Sequence, residues 1–296
     1  VGDDDRRSRI RLAAFDLDGT LLGPDLTLPR SVRLALGALR ARGVICIIVT
    51  GRMHVTAEKY ALELGLEGLP LVSYNGAMVK PVGGDELWWY RPIDTELAVE
   101  IVSFLGERGL EPLVFEDDRV YAARPGPGAD HYRLISGVDP GFVGDLEAFI
   151  RTRSGGTVRP AGTAPPAGPA PPLGPVRPTK LLQVESAELM PDLLGAALAR
   201  FGGRANITTS YSFFLEFMDR SVSKGRALAE VCRRLGIEPE AVAAFGDGLN
   251  DLDMLRWAGL GVAMGHGPAE LRQAAAAVAE GPPGEGVARF VEEHLL

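Results

Sequence analysis

Short runs of consecutive apolar residues alternate with stretches of helical periodicity at the start of this chain. Ile10 to Phe15 is largely apolar without a polar alternation, as in a strand covered on both faces. Ser31 to Arg42 places Val32, Leu36 and Leu39 at helical spacing and stops at Gly43, which predicts a helix. Val44 to Val49 reads as a second buried strand, Val55 to Leu64 as a helix and Leu69 to Ser73 as a third strand. Near-continuous apolar strands separated by helices predict a parallel sheet with helices on both faces.

The alternation then breaks. Asp85 to Asp94 is aromatic, with Trp88, Trp89 and Tyr90 in succession, and a helix is expected from Thr95 to Arg108. Leu113 to Ala122 reads as a hairpin turning at Glu116-Asp117-Asp118. A strand at Thr179 to Val184, a helix at Pro191 to Phe201 and strands within Asn206 to Met218 follow. Between Pro160 and Pro178, eight of nineteen residues are proline, so neither helix nor interior strand is expected there and a loose loop is. PxxP spacing, as in Pro169 to Pro172, leaves recruitment of a partner as the other use of that segment.

From Lys224 the first pattern resumes. A helix runs to Leu235, a strand from Ala241 to Phe245, a helix from Leu249 to Trp257, a strand from Gly261 to Met264, then two helices. The fold class is therefore α/β, a Rossmann-like parallel-sheet core interrupted by an α+β domain. Residues 1–84 with 207–296 are expected to form the core, and 85–206 the insertion with its proline-rich loop at 160–178.

Composition narrows the function. A net charge of −8 argues against nucleic-acid or anionic-membrane surfaces. The longest apolar run, Val44 to Val49, is far short of a membrane span. No apolar leader with a small-residue cleavage site opens the chain, so a cytoplasmic protein is expected. Cys46 and Cys232, each inside an apolar pattern, read as buried inert thiols.

Chemistry concentrates where strands end. Asp16 and Asp18 follow the first strand, and residues two apart on extended backbone face the same side. Two carboxylates converging there must share a cation or a proton, and Gly19 permits a sharp turn beyond them. Taken alone, an Asp-x-Asp-Gly turn also has a purely structural reading. Thr50-Gly51, after the second strand, offers a hydroxyl and N–H groups suited to a phosphate oxygen, or marks a plain turn. Lys224 stands at a helix start, where most lysines are simply solvated. Gly246-Asp247-Gly248-Leu249-Asn250-Asp251 places two acids four apart at a loop-to-helix junction. That arrangement suits a hard cation such as Mg²⁺, which takes oxygen ligands and leaves room for a phosphate; N-capping is the bland alternative.

Together these residues resemble the haloacid dehalogenase superfamily, in particular its Cof-type phosphatases with a large α+β cap (type IIB). Phe15-Asp16-Leu17-Asp18-Gly19-Thr20-Leu21-Leu22, Val49-Thr50-Gly51-Arg52, Val222-Ser223-Lys224-Gly225 and Gly246 to Asp251 with Met254-Leu255 match its four motifs in order. Tyr74-Asn75-Gly76-Ala77 and Glu285-Gly286-Val287-Ala288 look like its ancillary signatures. His266 stands where such proteins usually carry Asn, and the 160–178 insertion is unusual for them.

The resemblance implies an Asp16 nucleophile forming an aspartyl-phosphate, and Asp18 as general acid and base. It implies Mg²⁺ held by Asp16, the Asp18 carbonyl and Asp247, with Asp251 directly or through water. Leu17, Thr50, Gly51, Lys224 and Asn250 would hold the phosphoryl oxygens, while Arg52, His54 and Asn75 are candidate substrate contacts. The implied protein is a Mg²⁺-dependent phosphomonoesterase, monomeric or weakly homo-oligomeric, acting on a small phosphorylated metabolite, a sugar phosphate first. A phosphomutase or phosphotransferase with the same intermediate, or a non-catalytic regulatory module, are the rival readings. For Trp88, Trp89 and Tyr90, stacking on a substrate ring stands beside simple packing.

Overall fold

The structure is a computed structural model that describes residues 9–152, 176–210 and 213–296. In chain order the first elements are β1 (Leu12–Phe15), α1 (Arg30–Ala41), β2 (Ile45–Ile48), α2 (His54–Glu63), β3 (Pro70–Ser73), β4 (Met78–Pro81) and β5 (Trp89–Tyr90). The middle holds α3 (Thr95–Gly106), β6 (Leu113–Glu116), β7 (Arg119–Ala122), α4 (Pro127–Ser136), β8 (Gly141–Phe142), α5 (Leu146–Thr152), β9 (Lys180–Val184), α6 (Met190–Phe201), β10 (Ala205–Ser210) and β11 (Phe214–Asp219). The last stretch holds α7 (Lys224–Leu235), β12 (Val242–Gly246), α8 (Leu252–Trp257), β13 (Leu260–Met264), α9 (Ala269–Ala274), β14 (Ala277–Ala279) and α10 (Glu285–His294).

Two compact units result. One joins the segment ending at Tyr90 with Val222–Leu296; the other is Arg91–Ser221. The divisions at Tyr90 and Ser221 lie beyond 84 and 206 because strand pairing carries each segment further. Trp89 pairs with Val79 on β4, and β10 and β11 join β9 in the middle unit's sheet.

The first unit is built on a parallel sheet in the order β14-β13-β12-β1-β2, and a single parallel bridge, Val49 to Val72, leads on to β3. Alternate residues of the same strand serve opposite faces. Ala13, Phe15, Cys46, Ile48, Ala243 and Phe245 join Leu36, Leu39 and Val291 of α1 and α10 on one side. Leu12, Ala14, Ile47, Val242 and Ala244 join Leu228, Val231 and Met254 of α7 and α8 on the other. With both faces covered, β1, β12 and β13 are buried at every position, hence the unbroken apolar runs. Phe15 and Phe245, in register across β1 and β12, stack at 4.9 Å between centroids.

Two features depart from the expected pattern. β3, β4 and β5 form a small antiparallel sheet, in which Trp89 donates to the Gly76 carbonyl at 3.1 Å and Trp88 lies beneath the Arg234 guanidinium. Both indoles pack against the second apolar cluster, as simple packing requires. The C-terminal stretch, read as two helices, also contains β14, too short and alanine-rich to register as a strand. Cys46 and Cys232 are buried and free, with burial pushing both thiols up to about 12.

The second unit has a six-stranded, mainly antiparallel sheet in the order β10-β11-β9-β6-β7-β8. Asp117 and Asp118 both take positive φ (51° and 55°) between β6 and β7, the geometry of a tight hairpin turn that Asp tolerates. Leu97 and Ile101 of α3, Phe149 of α5 and Leu193 of α6 cover Val114, Leu181, Leu215 and Phe217 on one sheet face. The elements α4, β8 and α5 were not legible, their apolar periodicity being short. Most of the proline-rich segment lies outside the described residues. Its last part is anchored: Val176 is buried and donates to the Ile150 carbonyl, and Pro178 accepts from the Ile93 N–H. Among the described residues, no helix is long and apolar enough to cross a membrane.

Candidate active site

Because β1, β2 and β12 run parallel, their carboxyl ends lie on one edge of the sheet. The chain leaves β1 toward β2 on one side and returns to β12 on the other. Such a reversal opens a crevice beyond the strand ends. Asp16 follows β1 directly and its N–H donates to the Phe245 carbonyl, so it is fixed by the sheet itself. Asp247 follows β12, and Thr50 follows β2 with its N–H on the Val72 carbonyl. Gly19, at φ 78°, turns the chain back; a Cβ there would overlap the Asp247 carboxylate.

Lys224 opens α7, whose start is set by Ser223, the N-cap accepting from the Arg226 N–H at 3.2 Å. The Lys224 ammonium is fully buried, 2.5 Å from Asp16 Oδ1 and 2.6 Å from Asp251 Oδ1. Burial works against its charge, but the two carboxylates outweigh that and hold its pKa above the ordinary lysine value. The other oxygen of Asp251 accepts from the Asp247 and Gly248 N–H groups at 3.0 and 2.9 Å. Asp251 thus ties the loop after β12 to the helix carrying Lys224.

Asp16, Asp247 and Asp251 present carboxylate oxygens all within 4.8 Å of one another. Burial raises the pKa of Asp16 well above the ordinary carboxylate value; Lys224 opposes the shift, and Asp251 and Asp247 add to it. Asp247 is raised by burial and then by Asp251, with Lys224 opposing. With all three carboxylates ionised, one ammonium would leave two negative charges uncompensated. A hard divalent cation matches both that deficit and the all-oxygen donor set, so these residues fit Mg²⁺.

Asp18 stands outside the cluster. Its carboxylate takes a two-pronged contact from Arg52, Nε to Oδ2 at 2.7 Å and Nη2 to Oδ1 at 2.5 Å, and the guanidinium leans on the Tyr60 ring. Thr50 Oγ1 accepts from the Arg52 N–H, while its carbonyl accepts from the Asn75 N–H. Asn250 is exposed and donates to Asn75 Oδ1 at 3.0 Å. Leu17 is buried, with its carbonyl closing the turn by accepting from Leu21 and Leu22. His54 is buried on the first turn of α2, its Nε2 3.6 Å from Glu58.

Two groups escaped the sequence reading. Thr20 Oγ1 donates to Asp247 Oδ1 at 3.2 Å; its place directly after Asp-x-Asp-Gly was the available signal. His266, noted only as a departure, lies 3.7 Å from Asp247 Oδ2. The Arg52–Asp18 pair was not legible at all, since the two residues are far apart in sequence.

The family profile for haloacid dehalogenase-like hydrolases matches residues 13–140 and 174–291. The phosphatase YwpJ of Bacillus subtilis is 28% identical, over 97% of this chain and all of its own. The pyridoxal phosphate phosphatase YbhA of Escherichia coli is 28% identical over 97% of this chain and 99% of its own. Among solved structures, a haloacid dehalogenase-like hydrolase from B. subtilis superposes with a TM-score of 0.77 at 25% identity, covering 97% of this chain and 100% of that one.

Proposed function

The chain belongs to the haloacid dehalogenase-like hydrolases, as a phosphatase of that family, and we propose that it hydrolyses a small phosphate monoester through an Asp16 phosphoenzyme with Mg²⁺. The observation that carries this reading is the buried Asp16 carboxylate, paired with Lys224 inside a three-carboxylate cluster. With all three carboxylates ionised, a single lysine leaves that cluster two charges short, and a buried nucleophile needs such compensation to stay ionised.

In this reading an Asp16 oxygen forms a bond to phosphorus as the ester P–O bond breaks. Asp18 gives its proton to the leaving alkoxide, then takes one from the water that attacks the phosphorus and releases Asp16 and phosphate. Lys224, Thr50, the Leu17 and Gly51 N–H groups and Asn250 hold the phosphoryl oxygens, the positioning and charge stabilisation on which phosphoryl transfer depends. Asp16, the Asp18 carbonyl and Asp247 would hold Mg²⁺, with Asp251 directly or through water. When bound, Mg²⁺ would offset the negative charge on the phosphoryl oxygens. Arg52 clamps the Asp18 carboxylate, so the carboxyl is free to approach a leaving group only once that pair loosens. Substrate arrival is the natural trigger, because a phosphate ester offers the guanidinium another anion.

The Arg91–Ser221 unit is assigned the role of a cap, and the other unit that of the catalytic core. The pyridoxal phosphate of the E. coli relative is a small phosphate ester, the class proposed here with sugar phosphates first. The test is a panel of sugar, nucleotide and cofactor phosphates, scored for released phosphate with Mg²⁺ and after chelation. Release only with Mg²⁺ supports the reading. Transfer to an added alcohol with no release to water would make the protein a phosphotransferase.

A further inference from the structure

Tyr74, Asn75 and Gly76 take successive left-handed conformations, with φ of 52°, 54° and 99°. That region brings the Cβ of an L-residue too close to the following carbonyl oxygen and is disfavoured. Asn tolerates it, whereas Tyr rarely adopts it, and Tyr74 is fully buried. Strain at two adjacent buried positions persists only where the surroundings enforce it, and points toward function.

The turn touches three separate segments of the site. The Tyr74 N–H donates to the Arg52 carbonyl and the Asn75 N–H to the Thr50 carbonyl, both at 2.9 Å, which fixes the segment after β2. Gly76 lies so close to the Ser223 carbonyl, at the start of α7, that a Cβ there would overlap it. Asn75 Oδ1 accepts from Asn250 Nδ2 at 3.0 Å on the loop after β12. Trp89 pins the turn from outside through the Gly76 carbonyl.

We propose that Asn75 is a positioning residue, holding the exposed Asn250 amide toward the phosphoryl group from a turn that also registers Thr50 and Lys224. This rests on the phosphatase reading above and deepens it. Asn75 was a candidate substrate contact from sequence; here it acts through Asn250. The left-handed backbone brings the buried amide to that loop, and a conformation open only to Asn, Asp or Gly at low cost limits the residue that can serve.

The test is a double-mutant cycle in the full chain with Mg²⁺: Asn75→Gly, Asn250→Ala and both together. Glycine takes φ 54° without strain, so Asn75→Gly should remain folded. Each single change should lower kcat/KM on p-nitrophenyl phosphate by about tenfold, and the pair by no more than the worse single, since one deletion already removes what the other holds. An additive loss of about a hundredfold would show that Asn75 touches the substrate independently, and overturns the proposal. So would wild-type kcat/KM in Asn75→Gly, or in Asn250→Ala alone.

A second measurement does not require turnover. Amide exchange in peptides covering 247–251 should quicken by about tenfold in Asn75→Gly and return to the wild-type rate in Asn75→Asp, which keeps the oxygen acceptor. Unchanged exchange in Asn75→Gly would overturn the proposal even if wild type proved inactive on every ester. Failure of the phosphatase reading shows instead as a wild-type protein releasing no phosphate.

Discussion

Replacing Lys224 by Met removes the ammonium that pairs with Asp16 and Asp251 while keeping most of its volume. The ammonium is buried and bonded to Asp16 and Asp251, so the change strands carboxylate charge rather than exchanging a pair for apolar contact. Breaking one side of a buried pair costs about 3–5 kcal/mol. Asp251 keeps its two backbone donors, so the penalty falls mainly on Asp16, which already holds its proton above the ordinary range. Losing Lys224 raises that pKa further. The deficit should therefore shrink on acidification, as Asp16 takes the proton that restores neutrality. Chelated wild type and Lys224→Met should be melted in urea at about pH 7.5 and about pH 5.5, with the stability gap narrower at the lower value. The wild-type ammonium stays charged over this whole range, because its raised pKa lies far above it. Equal stability of the two proteins at both pH values would refute a buried ammonium neutralising Asp16.

The remaining expectations concern acid, metal and pH. Asp18→Asn should lose about 10²–10⁴-fold in turnover, with a larger loss on alkyl phosphates than on p-nitrophenyl phosphate; identical losses would remove Asp18 as the acid. Asp247→Ala should raise the Mg²⁺ concentration needed for half-maximal activity at least about tenfold, and an unchanged requirement would exclude Asp247 as a ligand. Asp16 and Asp247 have folded pKa values above the ordinary 3.8, so between that value and their folded pKa values the native state binds more protons than the unfolded chain. Metal-free stability should consequently fall as pH rises through that window, and stabilisation by Mg²⁺ should grow with it. Melting curves giving the same Mg²⁺ shift at about pH 5 and about pH 7.5 would contradict those two groups as its ligands.

The parallel sheet was legible because burial on both faces leaves a continuous apolar signature, as in Ala13-Ala14-Phe15 and Val242 to Phe245. The same logic hid β14, whose alanines carry little strand signal, and β5, whose Trp89 and Tyr90 read as well for a binding surface. Asp16, Thr50, Lys224 and Asp247 were legible as groups at strand and helix ends, since backbone geometry places those ends together. Side-chain partnerships across long sequence separations were not. Nothing in the spacing of Asp18 and Arg52, or of Asn75 and Asn250, announces their bonds. Left-handed φ at Tyr74 is equally invisible, because no sequence rule favours Tyr there.

Covalent capture at Asp16 is the central claim, and acid quenching during turnover tests it most directly. Wild type with Mg²⁺ and an active ester is stopped with acid within the first turnover, digested with pepsin at acid pH, where an acyl phosphate survives, and analysed by mass spectrometry. The peptide that contains Asp16 should carry one added phosphoryl group, placed by fragmentation on Asp16 and absent from Asp16→Asn. Rapid phosphate release with no modified peptide, or a phosphoryl group located on another residue, would contradict the account.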